Sequence, residues 1–237
     1  MRHTNFAIQE ADDRAFDPIP RAIREIEFAP PADYSVPELA ELYVNMESSF
    51  GKDSHLAIQL ASVSSGSGSH QIGLDLVWVA SATLGKRALL LTHTMPLRGH
   101  PSHDSVGIAD TARVPSTSWD QEFVKLADQE AYVGNLDGWR EAKGAVISPQ
   151  EIDRHLDELS DFFDMIVIAP PPLNRDPLGT VLARHVDGNI IVVDAERTRR
   201  FAAIRLREIL TRSGRPIIGA IMSGQRNYLP RWLARLI

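Results

Sequence analysis

The stretch Leu56-Ala57-Ile58-Gln59-Leu60-Ala61-Ser62-Val63-Ser64-Ser65-Gly66-Ser67-Gly68-Ser69-His70-Gln71 decides the fold. Its first part, Leu56–Ala61, is a short, mainly apolar run of the kind that forms a strand buried on both faces. A serine- and glycine-rich turn follows, and residues 71–84 read as a helix. A turn of this kind aims backbone N–H groups and the positive end of the helix dipole at whatever lies above it, so phosphate is its natural guest.

The same alternation continues outward. Apolar runs at Ala88–Leu91, Met165–Ala169, Asn189–Asp194 and Ile217–Met222 are interleaved with helical stretches at 149–162, 177–185 and 198–213. Doubly buried strands separated by helix-sized spacers predict an α/β fold, with a mainly parallel sheet flanked by helices on both faces. Ser148, Pro149 and Glu151 supply a cap, a first-turn proline and a capping acid, and Ser35, Pro37 and Glu38 repeat the pattern for a helix through about Glu47. Residues 95–120, rich in Pro, Ser, Thr, His and Gly, read as a long surface loop. Residues 1–34 carry Pro18, Pro20, Pro30 and Pro31 among mixed charges and read as a flexible arm, which leaves 35–237 as one domain.

At 237 residues and 43% hydrophobic content the chain can bury one good core. It has no cysteine, which excludes disulfides, thiolate metal sites and cysteine nucleophiles. No stretch approaches the length of a membrane span and the start lacks an apolar signal core, so a cytoplasmic location is expected. The net charge of −6 conceals a split: ten arginines against Glu208 after position 196 give that end +9 and the remainder −15. Such a basic end suits an acidic partner, anionic headgroups or nucleic acid, or forms a solvated face.

The glycine-rich turn has the geometry of a phosphate loop without its chemistry. A Walker A loop needs a Lys for the β/γ-phosphates and then Ser or Thr for magnesium; those places are Ser69 and His70. Taken with the order of the other motifs, residues 38–237 nonetheless resemble the P-loop domain of bacterial polysaccharide-biosynthesis tyrosine autokinases, relatives of the MinD/ParA-like ATPases. The resemblance rests on the turn followed by Ile72-Gly73-Leu74-Asp75-Leu76, on Phe162-Phe163-Asp164-Met165-Ile166-Val167-Ile168-Ala169-Pro170-Pro171, on Asp187-Gly188-Asn189-Ile190-Ile191-Val192-Val193 with Arg197-Thr198, and on Ile218-Gly219-Ala220-Ile221-Met222 with residues 226–233.

The departures remove charge. By the resemblance, the second acidic motif falls on Thr92 and Thr94, the Walker B Asp on Ala169, and the adenine-reading Asn on Ser223. Tyr34, Tyr43, Tyr132 and Tyr228 are scattered where the family has a C-terminal tyrosine cluster, and Glu38 is followed by Glu41 and Val44 in place of the family's oligomerisation pattern. The resemblance then implies a degenerate, pseudokinase-like member serving exopolysaccharide biosynthesis and export beside a membrane polysaccharide co-polymerase, with possible homo-oligomerisation and no nucleic-acid partner. Two alternatives stand: a working tyrosine kinase that replaces the missing Lys with Lys52 or Lys86, and a MinD/ParA-type positioning protein.

Candidate ligand-binding residues are Gly66, Ser67, Gly68, Ser69, His70 and Gln71, where dipole and amides leave room for weak ATP or ADP binding and no obligatory cofactor; His70 could add a cation when protonated. The turn also reads as a purely structural connection. His93, His100, His103 and Asp104 have metal-ligand side chains but loose spacing on a loop, and no metal is expected. The segment Tyr228–Ile237 mixes aromatic and aliphatic residues with arginines, so Arg226, Arg231, Trp232 and Arg235 are candidates for docking on a partner or on the inner membrane surface. The same segment also reads as a last helix packed on the domain.

Overall fold

The structure is a computed structural model that describes residues 24–26, 36–50, 55–64, 68–93, 123–126, 129–136, 139 and 148–224. Strands β1 (Arg24–Ile26), β2 (Leu56–Ser62), β3 (Ala88–Thr92), β4 (Phe123–Leu126), β5 (Ala131–Asn135), β6 (Met165–Ala169), β7 (Gly188–Asp194) and β8 (Ile217–Ser223) form one sheet in the order β1-β4-β5-β3-β6-β2-β7-β8. Every pairing is parallel except β4 with β5. The five strands expected from apolar runs are all present.

Helices α1 (Val36–Phe50) and α2 (Ser69–Leu84) pack on one face of the sheet, where Tyr43, Met46, Leu76 and Val77 meet Ile58, Leu60, Leu90 and Val167. Helices α3 (Pro149–Ser160) and α4 (Leu178–Leu182) cover the other face beside Leu89, Leu91 and Ile166, and α5 (Arg200–Thr211) covers it beside Ala61 and Ile191. The expected α/β architecture with helices on both faces is therefore the observed one.

Local chemistry explains the helix ends. Ser148 Oγ accepts the Glu151 N–H while the Glu151 carboxylate accepts the Ser148 N–H, a complete capping box with Pro149 in the first turn. Gly73 lets α2 lie close over the sheet, because a Cβ there would sit 2.6 Å from Leu90 Cδ1. The buried amides of Gln59 and Asn189, adjacent across β2 and β7, donate to the carbonyls of Gly179 and Ala183 and pin α4 to the sheet centre.

Three strands lie outside the sequence expectations. β4 and β5 follow the long loop; each is only four or five residues, too short for periodicity to register. They are fixed by packing, with Phe163 edge-on to Phe123 (centroids 5.8 Å) and Tyr132 (5.4 Å). β1 arises inside the stretch read as an arm, and Arg24–Ile26 pairs with Val124–Leu126.

Candidate functional site

The carboxyl ends of β2, β3, β6 and β7 meet below the N-terminus of α2, where ligands bind in open α/β sheets. Gly68 caps α2 with φ +76°, a left-handed conformation that glycine adopts at little cost, and accepts the Ile72 N–H through its carbonyl. It lies against Ser223, whose Cβ would be 3.6 Å from a Cβ on Gly68, so the turn and the end of β8 touch. Of the six candidate ligand-binding residues, Gly68, Ser69, His70 and Gln71 form this helix start, and Gly66 and Ser67 lie outside the described residues.

The position that the resemblance assigns to the phosphate-contacting Lys is a serine, Ser69, only 7% exposed. The position assigned to the magnesium hydroxyl is His70, whose Nδ1 is hydrogen-bonded to Thr92 Oγ1 at 3.2 Å. Thr92 pairs in register with Ala169, so the places of the two acidic motifs stand side by side and neither carries a carboxylate. His93 completes the cluster, with Nδ1 3.4 Å from the Ala169 carbonyl oxygen. Burial, then the neighbouring His93, hold His70 below the usual imidazole range. Burial therefore disfavours the protonated ring that a cationic role near phosphate calls for. A magnesium nucleotide asks for a cation and a carboxylate shell, and an uncharged imidazole, a hydroxyl and an alanine do not fit it.

Lys86 does not substitute for the missing lysine. It follows the C-terminus of α2, about 24 Å along the helix from the turn by helical rise, and its Nζ lies 3.6 Å from Glu47. Lys52 lies outside the described residues, as do the loop 95–120 with His100, His103 and Asp104, and the docking candidates Arg226, Arg231, Trp232 and Arg235. Among the described residues no group of three or more His, Cys, Asp or Glu is arranged to hold a metal.

A carboxylate that the sequence reading passed over borders the site. Asp194, 6% exposed at the end of β7, accepts the N–H groups of Glu196 and Arg197 on Oδ1 (2.9 and 3.1 Å), and Arg197 Nε lies 3.9 Å from Oδ2. Its backbone N–H donates to Thr198 Oγ1 at 3.0 Å. The Asp-x-x-x-Thr spacing at 194–198 was the available signal, hidden because Asp194 also ends an apolar strand. Asp194 organises the turn into α5 beside Gly224, where a Cβ would sit 3.1 Å from Oδ1.

This fold, with its glycine turn at the helix start, is the P-loop fold of MinD/ParA type, and comparison with known proteins finds bacterial tyrosine-kinase domains among the proteins it is similar to. No family model matches the chain. Over 66 residues it is 33% identical to CapB of Staphylococcus aureus, named as a tyrosine-protein kinase; the match covers 28% of this chain and 29% of that protein. The kinase domain of the Escherichia coli tyrosine kinase ETK superposes with a TM-score of 0.62 at 16% identity, covering 84% of this chain and 79% of that one. The chimerical protein CapA2B2 gives 0.60 at 15% identity over 88% and 96%. MinD of Pyrococcus horikoshii, in complex with Mg-ADP, gives 0.51 at 16% over 76% of each chain. The resemblance read from the motifs is therefore found by sequence and by structure alike, and at these identities the structural likeness speaks for the fold. No described helix is long and apolar enough to cross a membrane.

Proposed function

We propose that the chain is a pseudokinase relative of the tyrosine autokinases, an accessory or regulatory protein of exopolysaccharide biosynthesis and export that works at the cytoplasmic side of the inner membrane with a membrane co-polymerase. The observation that carries this reading is the His70–Thr92 hydrogen bond, which joins two positions the family uses for magnesium and leaves an uncharged pair there. The two tyrosines among the described residues agree with it. Tyr43 and Tyr132 are 4% and 3% exposed; burial and the charges of Glu47 and Asp164 push the Tyr43 hydroxyl up to about 12, and the Tyr132 hydroxyl donates to Glu130. Such hydroxyls are poor phosphoryl acceptors. The CapA2B2 chimera, named as a fusion, supports a kinase-like domain that acts with a partner.

In this reading the amides of residues 66–71 hold an anion, ATP or ADP included, weakly and with strong salt dependence. Arg226, Arg231, Trp232 and Arg235 dock on the partner or the membrane. The test is incubation of the purified chain with γ-labelled ATP and magnesium, alone and with its co-polymerase. The reading expects no label on any tyrosine in either case, together with loss of polysaccharide secretion when the gene is deleted. Tyrosine labelling that a bulky residue at Gly68 abolishes would contradict it.

A further inference from the structure

Helix α5 and its flanking turns carry a cationic, apolar face that the site above does not use. Arg197, Arg199, Arg200, Arg205, Arg207, Arg212 and Arg215 are all exposed, against one acid, Glu208, which gives residues 197–215 a net charge of +6 and the rest of the chain −12. Arg199, Arg200, Arg205, Arg207 and Arg212 make no ion pair among the described residues. Leu206 and Leu210 face the core, so at 100° per residue Phe201 and Ile204 lie on the opposite, outermost side of the helix, with the carboxylate of Glu208 between the arginines one turn on. Phe201 is 75% exposed. A groove of about 340 Å³ runs beside this line, and its described lining residues are Phe201, Ile204, Arg205, Glu208, Ile209 and Arg212.

We infer that this face of α5 docks on an anionic phospholipid bilayer. Arginines flank the apolar line on both sides, Arg200 and Arg207 on one and Arg205 and Arg212 on the other. Phe201 and Ile204 can therefore enter the headgroup region while guanidinium groups, carried on apolar stems, stay level with the phosphates. A nucleic-acid backbone would engage the same arginines but leaves a protruding Phe without a partner. The charge split also sets orientation: the −12 remainder is repelled by an anionic surface, so contact through α5 is the favoured approach within a Debye length. This surface is distinct from the segment 226–235 and does not depend on it.

The experiment is sedimentation of the full chain with vesicles of phosphatidylcholine containing about 30% phosphatidylglycerol, and with pure phosphatidylcholine vesicles. Three variants are compared: R200E/R207E, F201S, and R226E/R231E/R235E. Arg200, Phe201 and Arg207 are exposed, so melting temperatures near that of the parent are expected and verify folding. The inference expects binding to the anionic vesicles only, lost at high salt, about thirtyfold or more weaker in R200E/R207E and several-fold weaker in F201S. Unchanged binding in R200E/R207E or in F201S overturns it, as does binding removed only by the 226–235 variant. Binding of duplex DNA without vesicle binding overturns it as well.

Discussion

His70 Nδ1 and Thr92 Oγ1 are hydrogen-bonded at 3.2 Å, linking the first turn of α2 to the carboxyl end of β3 directly beneath the glycine turn. A P-loop ATPase of this type would place a magnesium ion in the vicinity of this contact by the motif alignment. Here the two side chains satisfy one another, and the ring stays neutral because it is buried.

A carboxylate introduced at Thr92 should therefore be felt by His70. In Thr92→Asp the imidazole midpoint, followed by NMR, is expected to rise by about one unit or more, because a nearby opposite charge favours the protonated ring. An unmoved midpoint would mean that the two side chains are not neighbours in solution.

Acid stability should be set largely by His155. It is buried against Trp139, and desolvation lowers its pKa to about 4 despite Glu158 nearby. Unfolded, it titrates near 6.5. Between those values the unfolded chain binds a proton at this site that the folded chain does not, so the His155 contribution lowers stability as pH drops from about 6.5 to 4 and levels off below. His70 contributes with the same sign. Urea unfolding across this window should show the slope, and His155→Leu should flatten most of it.

Phe163→Ala should cost about 3–5 kcal/mol in urea unfolding, the usual range for deleting a buried aromatic side chain. Phe163 packs edge-on to Phe123 and Tyr132, so the cost reports whether β4 and β5 are placed as described. A loss below about 1 kcal/mol would place those strands elsewhere.

Gly68→Ala should destabilise by about 1–2 kcal/mol through its left-handed backbone alone, since a Cβ there meets Ser223 only at an ordinary 3.6 Å. Gly85→Ala is the internal control: its φ is +65° and nothing lies within 4 Å of the added methyl, so a similar cost is expected. A much larger loss at Gly68 would show that the turn is packed more tightly than the structure describes.

Strands β2, β3, β6 and β7 were legible because each is a run buried on both faces, and α3 because Ser148, Pro149 and Glu151 encode its start; the apolar run Ile217–Met222 marked β8 too, but as an edge strand it is only part-buried, not covered on both faces as expected. The strands β4 and β5 were not, since Phe123–Leu126 and Ala131–Asn135 owe their conformation to pairing with each other and to Phe163, about thirty residues on. At the site, the lost charges could be read by aligning motifs. The contacts that replaced them could not: the His70–Thr92 bond spans 22 residues and depends on the length of α2 and the end of β3. The neutrality of His70 follows from burial, which a single sequence does not display. The opposite-end position of Lys86 likewise needed the helix to be laid down first.

The central claim, that this P-loop fold has given up magnesium-nucleotide chemistry, is tested most directly by calorimetric titration of the full chain with ATP in the presence and absence of magnesium. The account predicts weak or undetectable binding that magnesium leaves unchanged and that moderate salt abolishes. Tight binding that appears only with magnesium would contradict it.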